Sequence, residues 1–204
     1  MADRPLATTP PEDTTTTTHT RTTPPTTSRT SLTRTASIGA VAGVVASLMM
    51  AAYAMIAAAT YQGSGFFTPL YHIASVFISP ADMMSSMKSA TMGGSTFEFF
   101  AGAALLGALI HMMVGAMYGV GFGVLASLTR IRGMALVAGA IVWGGLAFVI
   151  SSFVALPLAA LIYNSGDQIT NMAQLVGYGT ILVEHLIFGL FLGLILLMAA
   201  KHAR

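Results

Sequence analysis

Four apolar stretches, each long enough to cross a bilayer, constrain this chain more than any other feature. A helix needs about 20 apolar residues to cross roughly 30 Å of hydrocarbon, and residues 38–60, 97–128, 134–163 and 173–200 each reach that length. Hydrocarbon offers no hydrogen bonds, so every backbone N–H and C=O in a span must be satisfied within the segment, which selects helices. Charged residues make up only 8% of the chain, against about 25% in a soluble domain. The expected fold class is therefore an all-α membrane protein with four transmembrane helices. The second and third stretches exceed the minimum, which predicts tilt or protruding ends, and Pro157 is expected to bend the outer end of the third.

Residues 1–35 have a different composition, with fifteen threonines, five prolines and almost nothing apolar. Such a segment cannot bury a core, so 1–35 reads as a disordered tail and 36–204 as the transmembrane domain. The first apolar run begins at Ile38 and is long enough to span, so the tail is expected to stay attached rather than be cleaved as a signal peptide. Arg4, Arg21, Arg29, Arg34, Arg130, Arg132, Lys201 and Arg204 fall on one side of the four spans, and Lys88 alone on the other. The positive-inside rule then puts both termini in the cytoplasm. On the outer side, Thr68-Pro69 and Ser79-Pro80 each resemble an N-cap followed by Pro at the first helical position. Phe66, Leu70, Ile73, Ala74 and Phe77 share one face between them, with His72, Ser75 and Ser79 elsewhere. At about 14 residues the piece is too short to span, which predicts an interfacial or re-entrant helix over the outer end of the bundle.

Two spans contain the same pattern, H-x-x-x-G-x-x-x-G: "HMMVGAMYG" from His111 and "HLIFGLFLG" from His185. "VAG" likewise occurs at Val41 to Gly43 and at Val137 to Gly139. The chain thus reads as two copies of a two-helix unit, a 2+2 parallel repeat about an axis along the membrane normal. Spacing of four puts Gly115 and Gly119 on one stripe with His111, and Gly189 and Gly193 on another with His185. Small residues let helices approach closely, so these glycines are expected to be packing faces and the histidines to point inward, near the midplane.

Glu184 adds a carboxyl beside His185, and ionisable residues at this depth are costly enough to suggest a function. Structural glue is an equal alternative, with the imidazoles as hydrogen-bond donors between helices and Glu184 neutral or capped by Tyr118 or Tyr178. The functional versions are a bis-histidine haem b held by His111 and His185, a proton or ion relay through Glu184 and His185, and a copper site using His111 with Met113 and Met117. Met83, Met84, Met87 and Met92 would extend a copper path outward, although methionine is also an adaptable filler in so methionine-rich a chain. Absence of cysteine excludes thiolate chemistry. Gly119, Gly121 and Gly123 lie inside a span rather than after a strand, so they are packing or kink glycines. Ser151 and Ser152 have no adjacent base and are expected to hydrogen-bond the preceding turn. No catalytic set emerges, and a formal charge of +2 gives no reason to expect nucleic acid.

The successions "GALIHMMVGAMYGVGFGVL", "AGAIVWGGLAFVISSFVALPL" and "EHLIFGLFLGLIL", with "GSGFFTPLYHIA" after the first span, resemble a group of uncharacterised small four-helix bacterial integral membrane proteins. The resemblance covers residues 38–200 and rests on His111, Trp143, Pro157 and His185; His72 and Glu184 are not carried over. It implies the fold and a place in a bacterial inner membrane, and no particular chemistry. The expected function is a non-catalytic subunit or accessory protein whose glycine faces pack within the chain, in a homo-oligomer or against a larger membrane complex, with a haem- or metal-binding carrier as the alternative.

Overall fold

A computed structural model describes residues 27–202, and within them the chain is helical with four helices long and apolar enough to cross a membrane. These are α1 (Thr27–Ala59), α4 (Ala101–Thr129), the composite α5 (Met134–Ile150) to α6 (Leu156–Tyr163), and α9 (Tyr178–His202). Short helices fill the connections: α2 (Thr68–Ala74), α3 (Ala81–Thr91), α7 (Asp167–Thr170) and α8 (Met172–Val176). Of the expected tail, residues 1–26 lie outside the described residues, and α1 begins at Thr27.

Two spans start later than the hydropathy suggests. Gly177, at φ 96°, takes a left-handed conformation that a side chain would strain, so the fourth stretch divides into α8 and α9. Before α4, Phe100 is extended, and Tyr71 supplies what the helix start lacks. Its hydroxyl accepts from the Phe100 N–H and donates to the Glu98 carbonyl, both at 2.9 Å. Tyr71→Phe should therefore leave two backbone groups without partners beneath a 1%-exposed ring, costing about 1–3 kcal/mol in a denaturation midpoint.

Small residues set the helix pairing. A Cβ on Gly43 or Gly119 would collide with the Gly115 or Gly39 carbonyl, so α1 and α4 touch backbone to backbone. A Cβ on Gly144 or Gly189 would meet the His185 or Ala140 carbonyl, and one on Gly193 would meet Val137, so α5 and α9 do the same. All four glycines expected at packing faces are filled within the chain. α1 also packs along α9, joining the two pairs. A core of Phe122, Phe188 and Leu192 among alanines closes the end of the bundle distant from α2.

The segment after α1 departs from the expected amphipathic helix. α2 has seven residues, and Thr68, Leu70, Tyr71, His72 and Ala74 are all buried. Thr68 does not cap it; its hydroxyl bonds that of Ser86 at 2.9 Å. Close approach explains the burial, because Gly107 on α4 has no side chain and the Leu70 backbone lies where one would be. The polar face expected for His72 and Ser75 is thereby enclosed.

Candidate functional site

α4 and α5 meet through Tyr118, Phe122 and Trp143: the Trp143 indole N–H donates to the Tyr118 carbonyl at 3.1 Å, and both rings pack on the indole. Toward α2 they separate, and a cavity of about 660 Å³ opens between the two helix pairs. Its walls are largely apolar, with Ser47, His72, His111, Ser152, Glu184 and His185 among the residues that line it. That volume lies within the range of about 300–1,000 Å³ typical of small-molecule sites.

His111 and His185 therefore share one enclosure. The glycine contact between α1 and α4 brings Ser47 so close that the His111 Nε2–H donates to its carbonyl at 2.9 Å. His185 Nδ1–H donates to the Ile181 carbonyl at 2.8 Å, one turn back along α9, and Phe148 packs edge-on against the ring. A carbonyl can only accept, so each of these nitrogens carries a proton, and in the neutral imidazole His111 Nδ1 and His185 Nε2 keep their lone pairs. His111 is ten residues after Ala101 and His185 seven after Tyr178, about 15 and 10 Å from those helix starts. Both occupy the half of the bundle nearer α2.

Glu184 is 8% exposed, and among the described residues its carboxyl has no hydrogen-bond partner. Neither tyrosine expected to cap it does so. The Tyr118 hydroxyl bonds that of Ser151 at 3.0 Å, and Tyr178 stacks on Phe153. Ser152 also departs from expectation, because its buried hydroxyl has no partner in the preceding turn or elsewhere among the described residues. The cause is Pro157, which lacks an N–H and whose ring conflicts with the carbonyl four residues earlier. The chain accommodates it with a π-helical turn, Ser151–Ala155, between α5 and α6. Such turns recur at functional sites, and this one sets Ser152 into the cavity wall.

The copper set does not converge. Met113 reaches the cavity's edge but is 63% exposed, and Met117, at 61%, faces outward. No group of three or more His, Asp or Glu capable of holding a metal occurs among the described residues.

Sequence reasoning gave His72 no role, yet it fastens the cap of the cavity. Its Nε2–H donates to the Gln168 carbonyl at 2.8 Å, the Gln168 amide bonds the Ser165 carbonyl, and the Ser165 hydroxyl donates to the Val76 carbonyl at 2.6 Å. The only sequence cue was its place four residues after Thr68, in a helix that looked amphipathic. Burial pushes this imidazole below its ordinary value, and the bond to Gln168 opposes part of the shift. A ring held neutral when folded loses stability on acidification: below about pH 6.5 the unfolded chain binds a proton that the folded chain refuses. The loss grows down to the depressed folded value and then levels off. Protection factors of the α2 and α7 amides, corrected for the slower intrinsic exchange in acid, should therefore fall as the pH drops below about 6.5, and His72→Gln should flatten that dependence.

No protein-family model, curated protein or solved structure matches the chain.

Proposed function

We infer that this is a non-catalytic membrane carrier that holds a small, largely apolar ligand in the cavity between its helix pairs. The single observation that carries the reading is the convergence of Glu184, His185, His111 and Ser152 on one apolar enclosure, each with bonding capacity that the described residues leave unused. Buried polar groups are ordinarily satisfied, and a packing role would have paired them. The glycine stripes are occupied by the chain's own helices, the within-chain packing that the accessory-subunit reading also allows, so a larger complex would have to meet another face.

The matched pairs also support the 2+2 repeat: α1 with α4 and α5 with α9 each close on glycines one and two turns after a histidine. With both termini cytoplasmic, as the Lys and Arg distribution favours, the α2 cap forms the outer, re-entrant element and the cavity belongs to the outer half of an inner membrane.

A second reading, the haem or metal carrier, is favoured by one feature. Metal-bound histidines usually donate their other N–H to a carbonyl or carboxylate, and both rings here do so. His111 Nδ1 and His185 Nε2 would then be the ligands.

The experiment is purification of the full chain from its native membrane in mild detergent, followed by oxidised and dithionite-reduced spectra, metal analysis and mass spectrometry of extracted small molecules. The expected result is about one organic ligand per chain, reduced at least tenfold in His185→Ala. A Soret band or a stoichiometric metal would establish the second reading. A chain carrying none of these, but bound to a larger complex, would restore the accessory subunit.

A further inference from the structure

On the reading of the cavity as a binding site, we propose that the ligand is an amphiphile with a hydroxyl head group and a long apolar tail, and that it enters sideways from the bilayer between α4 and the α5–α6 kink. The head group follows from the chemistry of the walls. His111 Nδ1 and His185 Nε2 are acceptors, and the Glu184 carboxyl offers an acceptor oxygen in either protonation state. Ser152 adds a hydroxyl that can donate. A ligand hydroxyl, with one donor and two lone pairs, can give its proton to an imidazole or to Glu184 and accept from Ser152. An anionic head would meet Glu184 and two nitrogen lone pairs, and no Lys or Arg lines the cavity to offset the charge.

The route follows from which wall residues are also outer surface. Met113 and Val114 on α4, 63% and 37% exposed, line the cavity, as do exposed Ala155 in the π-helical turn and Tyr163 at the end of α6. These residues open the cavity through the flank of the bundle, while Phe77, Met87 and Leu175, also exposed, line it beside the cap. The end is covered by buried α2, fastened through His72 and Ser165. A flank opening between helices long enough to span faces lipid, where a tailed alcohol is concentrated and an aqueous solute is scarce.

The test places the full chain in phosphatidylcholine liposomes with a saturated long-chain alcohol bearing a mid-chain diazirine, or with its methyl ether or primary amine analogue. After irradiation, labelled peptides are identified by mass spectrometry. The alcohol should label α4 around Val114 and α9 around Phe188 about tenfold more than either analogue, the difference expected from about one hydrogen bond of discrimination. That excess should vanish in His185→Phe and in Ser152→Ala, and Ala155→Trp at the mouth should slow labelling severalfold. Equal labelling by all three probes, or stronger labelling by the amine, overturns the head-group assignment. Labelling confined to outward residues such as Met117 and Leu146 overturns the sideways entry. If the purified protein carries a native ligand that the alcohol does not displace, this proposal fails while the binding site stands; if it carries none and takes up none, both fail.

Discussion

Replacing Glu184 with leucine is expected to make the protein more stable and to abolish its ligand. The carboxyl is buried and has no partner among the described residues, so Glu184→Leu breaks no hydrogen bond and removes a polar group from an apolar enclosure. Burying an unpaired polar group costs about 1–3 kcal/mol in mutational data, and unfolding in mixed micelles with increasing denaturing detergent should show a gain of that order. Ligand recovered with the purified chain should fall by an order of magnitude or more. A residue that lowers stability and raises occupancy follows the ordinary trade-off at functional sites, whereas glue would show the reverse sign. A destabilised Glu184→Leu would mean that the carboxyl has a partner and belongs to the packing.

The second large effect concerns the contact that shapes the cavity. Gly189→Leu must push α9 from α5, because even its first carbon would overlap the Ala140 carbonyl and the Ile141 backbone. No rotamer relieves a clash with backbone, so the penalty should reach or exceed the ~3 kcal/mol upper end of ordinary overpacking. Gly145→Leu, one residue beyond the buried Gly144, is the control: a Cβ there meets nothing within 4 Å. It should be neutral or slightly stabilising, since Gly costs a helix about 1 kcal/mol relative to good helix formers. Both variants add the same side chain to the same helix pair, so greater lipophilicity alone cannot account for a difference between them.

Pairwise contacts were legible because their signal is local. Four-residue spacing places His111, Gly115 and Gly119 on one stripe and His185, Gly189 and Gly193 on another, and these stripes are the ones that meet α1 and α5. Ser152 was misread because its role depends on Pro157. A proline five residues away announces a distortion, but the turn that accommodates it can be a bend, a break or a π-helical insertion, and each aims the preceding hydroxyls differently. Tyr118 and Tyr178 were equally reasonable caps for Glu184 by position, and each found a nearer partner across a helix interface.

Composition and period were enough for the all-helical, four-span architecture and for the inward-facing histidines. Backbone buried in hydrocarbon must bond to itself, apolar runs of this length do so as helices, and small residues at fixed spacing identify the close faces. The cavity required the assembled chain. It exists because α4 and α5 meet at Tyr118, Phe122 and Trp143 and part above them, while α2 closes the end by lying against the bare backbone of Gly107. Those are contacts between segments tens of residues apart, and hydropathy, which averages over neighbours in sequence, carries no record of the space left between them.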